Sequence, residues 1–175
     1  MSLGDSGGGD PMCPLHDSAG AGMKAGRIHV GEGAPAVYAG LHRMSERSEK
    51  AALEAGIDRK AIELIKMRAS QINGCAYCLD LHTRDALEIG ETTGRLAVLS
   101  AWRETTRFTP EEEAMLELTE VVTRISEGPL SEADQERIVG VLGEERFAAA
   151  FWVATVINSY NRVAITSHYP VEPEG

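Results

Sequence analysis

The segment "SQINGCAYCLDLHTRDALEIG", residues 70–90, decides the fold and points to the chemistry, because it places two cysteines and a histidine on one helical stripe. Cys75, Cys78 and His82 stand at offsets 0, 3 and 7, so in an α-helix they project from nearly the same face. The Asn-Gly pair directly before them is typical of a break between helices. The thiols therefore fall in the first helical turn, where free backbone N–H groups and the helix dipole favour a thiolate.

From residue 35 onward the chain predicts one helix after another and has no alternating strand pattern bounded by turns. Apolar residues recur at helical spacing, and capping residues or glycines mark the segment ends. We therefore predict an all-α fold of about seven helices, with the two cysteines at the start of one of them. The predicted helices cover residues 35–55, 59–72, 75–89, 94–105, 110–126, 132–142 and 144–167.

A chain of 175 residues is long enough for one hydrophobic core, so we expect a single domain. Residues 1–26 are rich in Gly, Ser and Asp, and they predict a flexible leader because their few apolar side chains cannot offset the entropy of ordering. Residues 27–170 form the predicted helical domain and residues 171–175 its C-terminal tail. The leader does not resemble a signal peptide, so we expect a cytoplasmic protein.

The charge balance argues against two classes of partner. Lys and Arg number 17 against 27 Asp and Glu, a formal charge of -10, and no basic cluster interrupts this excess. We therefore expect neither nucleic acid nor an anionic membrane surface as a partner. The longest nearly apolar run, residues 147–157, is too short to span a membrane. It predicts a buried or interface helix, and the length of this last helix predicts a homo-oligomer.

Glu63 is a fourth candidate, found by helix geometry. If the helices before and after the Asn-Gly break form an antiparallel hairpin, Glu63 comes within about one turn of His82. Its neighbours in sequence are isoleucine and leucine, a setting in which a carboxylate needs a partner inside the fold. A carboxylate beside an imidazole orients the ring and stabilises its charged form. The alternative for Glu63 is an ordinary ion pair with Lys60 or Lys66.

The residues alone leave several interpretations of the cysteine pair open. Three cysteines in a chain of this size do not suit a disulfide framework, and a Cys-x-x-Cys pair in a reducing compartment is typical of catalysis or metal binding. Cys75, Cys78, His82 and Glu63 are an acceptable zinc set, although zinc sites usually draw on two separated ligand pairs. Simple packing of two small side chains is the remaining interpretation.

The complete pattern resembles that of a known family. Glu63, eleven residues, Cys-Ala-Tyr-Cys, three residues and His82 together resemble the core motif of the AhpD-like alkylhydroperoxidases in the carboxymuconolactone decarboxylase superfamily. The similarity extends over most of the helical chain and is densest in "RASQINGCAYCLDLHTRDA". It implies a small, all-helical, oligomeric protein that reduces hydroperoxides with its cysteine pair and needs no bound cofactor.

The resemblance also implies roles for the site residues. Cys78 would attack the peroxide oxygen, Cys75 would resolve the sulfenic acid as a disulfide, and Glu63 with His82 would relay protons. The implied partners are a hydroperoxide and an external dithiol reductant, such as a lipoylated or thioredoxin-like protein. A non-catalytic thiol redox sensor is the alternative function, with zinc binding as a third.

Two further features of the sequence lead to expectations about the site. Tyr77 stands where the prototype peroxidase has a second histidine, directly before the second cysteine, and a tyrosine relays protons less easily near neutral pH. Residues 158–162, "NSYNR", place polar groups late in an apolar helix. We expect them to hydrogen-bond across a subunit contact, with lining of the site as the alternative.

Overall fold

The structure of the protein, a computed structural model, describes residues 28–171. No strand occurs in this part of the chain, so the prediction of an all-α fold is confirmed. The predicted leader, residues 1–26, and residues 172–175 of the predicted tail lie outside the described residues. The helices are α1 (Val30–Gly33), α2 (Pro35–Glu54), α3 (Arg59–Asn73), α4 (Ala76–Glu88), α5 (Thr93–Val98), α6 (Pro110–Thr123), α7 (Glu132–Leu142) and α8 (Glu144–Ser167).

Capping residues start most of the long helices. Asp58, Thr109 and Ser131 each accept a hydrogen bond from a backbone N–H three residues ahead, at the first turns of α3, α6 and α7. At α6, Glu112 returns the bond to the backbone of Thr109, which completes a reciprocal capping box. Local sequence therefore sets these helix starts, as the sequence analysis predicts.

The segment predicted as a fourth long helix is divided in the structure. α5 ends at Val98, and residues Leu99–Glu104 continue as a 3₁₀ helix, in which Ala101 leaves helical backbone angles. In a 3₁₀ turn, residues three apart point in the same direction. This geometry turns both Leu99 and Trp102 inward, and Trp102 Nε1–H donates to the buried carboxylate of Glu120 at 2.9 Å.

α3 lies at the centre of the fold and buries two of its faces. It packs against α4, α6 and α8, and α8 in turn packs against α2 and α6. Ile65 belongs to a core cluster with residues of α6, α7 and α8, whereas Leu64 packs in a second cluster with Trp102 and Phe108. The segment that carries Glu63 is therefore held from several sides. None of the helices in residues 28–171 combines the length and the apolar character needed to cross a bilayer.

Candidate active site

The turn between α3 and α4 places the two cysteines. Gly74 caps α3 with φ 69° and ψ 35°, a left-handed conformation that glycine adopts without strain. The next residue, Cys75, returns to extended backbone and donates its N–H to Ser70 O at 3.0 Å. Cys75 thus becomes the N-cap of α4, and Cys78 lies in the first turn.

The two sulfur atoms are in direct contact. Cys75 Sγ lies 2.6 Å from Cys78 Sγ and accepts the backbone N–H of Cys78 at 3.4 Å. Neither cysteine is in a disulfide, and both are buried, with exposed fractions of 1% and 3%. Since a disulfide bond measures about 2.0 Å, only a small movement of either side chain would accompany a two-electron oxidation of the pair.

The surroundings of Cys75 favour its thiolate. The hydrogen bond from the Cys78 thiol outweighs burial and lowers the pKa of Cys75 to about 7. The backbone N–H of Cys78, the charge of His82 and the side chain of Asn161 lower this pKa further. A thiol with this pKa is partly ionised near neutral pH, as a cysteine nucleophile requires.

α3 and α4 bring Glu63 and His82 together. His82 Nδ1–H donates to Glu63 Oε2 at 2.9 Å, and both side chains are buried. Burial opposes the carboxylate, but the hydrogen bond from His82 and the charge of Lys66 lower the pKa of Glu63 to about 2. Burial likewise opposes the imidazolium, but the carboxylates of Asp85 and Glu63 raise the pKa of His82 above its ordinary value. The contact therefore favours the charged forms of both groups.

Lys66 fixes the second oxygen of Glu63. Its Nζ lies 2.8 Å from Glu63 Oε1 and 2.8 Å from Glu49 Oε1 on α2, and its side chain is 11% exposed. Burial opposes this charge, yet the two carboxylates hold the pKa of Lys66 above its ordinary value. The ion pair with Lys66 thus exists beside the contact with His82, one on each oxygen of Glu63. The two contacts, expected from the sequence as alternatives, therefore occur together.

Asparagines of α8 support the turn from behind. Asn73 Nδ2–H donates to Asn161 Oδ1 at 2.8 Å and to Asn158 Oδ1 at 2.9 Å. Asn161, which is fully buried, also donates to Ser70 Oγ at 2.9 Å. Asn158 and Asn161 thus bind the turn of their own chain, as the alternative of lining the site predicts, while a subunit contact through residues 158–162 stays a prediction. The sequence feature that points to this role is the presence of polar residues within an otherwise apolar helix.

Two tyrosines pack against the dithiol. Cys75, Cys78 and Ala164 of α8 form a small buried cluster, against which the rings of Tyr77 and Tyr169 pack. The two rings meet edge to face, with their centroids 5.2 Å apart. Tyr169 follows the C-cap of α8, where the chain turns through a left-handed residue back toward the cysteines. The sulfurs are thereby enclosed between α4 and the end of α8.

The donor set does not suit a zinc site built on the cysteines. Among residues 28–171, the metal-ligand side chains close enough to share one ion are Glu63, His82 and Asp85, without either sulfur. Glu63 is already bonded to His82 and to the ammonium group of Lys66. A cation there would face the charge of Lys66, so the predicted set of two cysteines, histidine and glutamate is not assembled for metal.

Comparisons with known proteins agree with this fold. The sequence profile of the carboxymuconolactone decarboxylase family matches residues 35–121, which include the four candidate residues. An uncharacterized protein of Bacillus subtilis strain 168, YdfG, is 41% identical over 117 residues, covering 67% of this chain and 80% of that protein. A crystal structure from Agrobacterium tumefaciens, of a protein of unknown function described as a candidate antioxidant defence protein AhpD, superposes with a TM-score of 0.73. It is 29% identical, and the match covers 83% of this chain and 99% of that one. The chain belongs to the carboxymuconolactone decarboxylase family.

Proposed function

We propose that the protein is an AhpD-like thiol peroxidase that reduces hydroperoxides with Cys75 and Cys78. The observation that carries this proposal is the contact between the two sulfurs at a helix start, 2.6 Å apart, with the pKa of Cys75 lowered to about 7. Two thiols in contact, one of them partly ionised, are suited to form a disulfide after oxidation. The similarity to a candidate antioxidant defence protein supports the substrate class.

In the first step Cys78 is the nucleophile. The thiolate of Cys75 takes the proton of the Cys78 thiol, and the resulting Cys78 thiolate attacks the terminal oxygen of the hydroperoxide. The O–O bond breaks, Cys78 becomes a sulfenic acid, and the alkoxide takes a proton from the imidazolium of His82 and leaves as an alcohol. His82 is one helical turn from Cys78, and Glu63 holds its ring in orientation.

In the second step Cys75 resolves the sulfenic acid. Its sulfur attacks Cys78 Sγ, the S–O bond breaks, and the hydroxyl leaves with the proton of Cys75 as water. The two electrons that reduce the peroxide thus come from the dithiol. An external dithiol, a lipoylated or thioredoxin-like protein, then reduces the disulfide by thiol exchange. We place this cycle in the cytoplasm, whose reducing poise keeps the pair reduced.

The test is consumption of an organic hydroperoxide by the reduced protein, with dihydrolipoamide or thioredoxin as donor. We expect many turnovers per subunit in the wild type and none in Cys78→Ser, with unchanged helical circular dichroism. In Cys75→Ser, a dimedone adduct should accumulate on Cys78, because the sulfenic acid has no resolving thiol. Retention of most activity in Cys78→Ser, or a dimedone adduct on Cys75 in Cys78→Ser only, would overturn this assignment.

A second candidate function is a thiol redox sensor. The burial of both sulfurs, 1% and 3% exposed beneath two tyrosine rings, favours slow access and a single oxidation event. A sensor would consume about one equivalent of peroxide per subunit whatever the supply of dithiol, whereas an enzyme cycles. The same turnover measurement therefore separates the two functions.

We also propose that the protein assembles with further copies of itself through α8. Residues 147–161 contain no charged side chain, yet Phe151 and Trp152 are 38% and 50% exposed. An uncharged helix face with exposed aromatic rings is typical of an interface between subunits. Trp152→Asp should reduce the sedimentation coefficient, while Ile125→Asp, an exposed apolar residue outside α8, should leave it unchanged. A wild-type protein that sediments as a monomer at micromolar concentration would refute this.

A further inference from the structure

His82 lies between two carboxylates that are held in different ways. On the inner side, Glu63 Oε2 accepts the hydrogen bond of Nδ1–H at 2.9 Å, and Lys66 fixes the other oxygen of Glu63. On the outer side, Asp85 Oδ2 lies 3.6 Å from the same Nδ1, one turn further along α4. That separation is too long for a good hydrogen bond but short enough for a strong interaction between charges.

The three side chains differ in their access to water. The side chains of His82 and Glu63 are 9% and 10% exposed, whereas that of Asp85 is 44% exposed. Glu63 is bound to an ammonium group and an imidazolium, so it stays an anion and is a poor acceptor for a proton. Of the two carboxylates beside the imidazole, Asp85 is therefore the one that is exposed to solvent.

Other charges around the ring come from the elements that pack on it. α3 contributes Glu63 and the ammonium of Lys66, which opposes a charged imidazole. α4 contributes Asp85 and, at its N-cap, the thiolate of Cys75. On α8, the neutral side chain of Asn161 faces the dithiol. On α2, Glu49 affects the imidazole only indirectly, through its ion pair with Lys66. Of the groups in direct contact with the imidazole, Asp85 has the most exposed side chain.

We propose that Asp85 is a positioning residue of this site, which holds the imidazole of His82 in its charged form from the solvent side. This inference rests on the proposed peroxidase function, in which His82 gives a proton to the leaving alkoxide and must regain one from water before the next turnover. Glu63 then orients the ring through Nδ1, and the negative charge of Asp85 favours the return of the lost proton. The two carboxylates have separate roles at one imidazole.

The experiment compares two substitutions that change the net charge equally. Asp85→Asn removes the charge beside His82, and Asp80→Asn removes one from the same helix, where Asp80 pairs with Arg84. In the reduced protein, NMR titration of the His82 imidazole should show a pKa lower by about 0.7 unit or more in Asp85→Asn. Asp80→Asn should match the wild type in this measurement.

A third variant, Asp85→Glu, keeps the charge and should restore the pKa of His82. A wild-type pKa in Asp85→Asn, an equal shift in Asp80→Asn, or a shift in Asp85→Glu as large as in Asp85→Asn would each overturn the proposal. None of these measurements uses a peroxide. If the protein failed to turn over hydroperoxides while Asp85→Asn still lowered the pKa of His82, the peroxidase function would fail and the role of Asp85 at the ring would stand.

Discussion

His82 Nδ1–H donates to the carboxylate of Glu63 over 2.9 Å, across the interface between α4 and α3. The bond joins a buried carboxylate to a buried imidazole, and Lys66 completes the arrangement on the other carboxylate oxygen. Removal of Glu63 would leave His82 and Lys66 buried with only their contacts to Asp85 and Glu49. The arrangement therefore contributes to stability.

The stability of the protein should depend on pH through Glu63. Its pKa falls from 4.5 to about 2 on folding, so its contribution is fully present above pH 4.5 and is lost as the pH falls toward 2. The lowered pKa corresponds to a contribution of about 3 kcal/mol. Guanidinium unfolding at several pH values should show this loss in the wild type and a smaller one in Glu63→Gln. If the free energy of unfolding fell equally steeply with pH in the two proteins between pH 4.5 and 2, the prediction would be contradicted.

The reactivity of the dithiol should follow ionisation of Cys75. With a pKa of about 7, its rate of alkylation by iodoacetamide should rise to half its maximum near pH 7. In Asn161→Leu the midpoint should move upward by about 0.5 unit, because a hydrogen bond to the thiolate is lost. Asn158→Leu is the matched control, since Asn158 binds the same turn through Asn73. A shift of similar size in the control would assign the effect to the turn as a whole.

The ring of Tyr169 should control access to the sulfurs. Tyr169→Ala removes the ring that packs on Tyr77 and on the cysteine cluster, so alkylation of the thiols at saturating pH should accelerate about tenfold. Tyr169→Phe keeps the ring and should react at the wild-type rate. Equal rates in all three proteins would show that the thiols are reached by another route.

Substitution of Gly74, in the turn before the cysteines, should change the stability of the protein through backbone strain alone. Gly74 has φ 69°, and an added Cβ would meet no atom within 4 Å, so Gly74→Ala should destabilise the protein by about 1 kcal/mol without a steric clash. Gly140 lies inside α7 with the same open surroundings but helical backbone angles. Gly140→Ala should therefore stabilise by about 0.5 to 1 kcal/mol. Thermal unfolding measures the stability of both variants, and a change of the same sign in the two would refute the prediction.

The features that sequence predicted are those set by neighbouring residues. The N-caps at Asp58 and Thr109 depend on residues three positions apart, and the proximity of Glu63 and His82 follows from the geometry of one hairpin. These contacts require no knowledge of how distant helices pack.

The features that sequence did not predict depend on packing between distant segments. Asn161 reaches Ser70 and Asn73 across about ninety positions of the chain, and only the docking of α8 on α3 creates that contact. The second bond of Lys66, to Glu49 on α2, has the same origin. The 3₁₀ winding at Leu99–Glu104 likewise depends on the burial of Trp102, which a repeating apolar pattern does not distinguish from an α-helix.

The contact of Asn161 and Ala164 with the cysteine cluster has a consequence for comparing relatives. The family profile ends at residue 121, so α8, which supplies both residues, lies outside the matched region. Two homologues can therefore share every position of the glutamate, cysteine and histidine motif and still differ in the ionisation of their thiols. Substitutions in α8 alone can therefore change the reactivity of the thiols while the glutamate, cysteine and histidine motif stays the same. Functional inference across this family should accordingly align α8 as carefully as the motif.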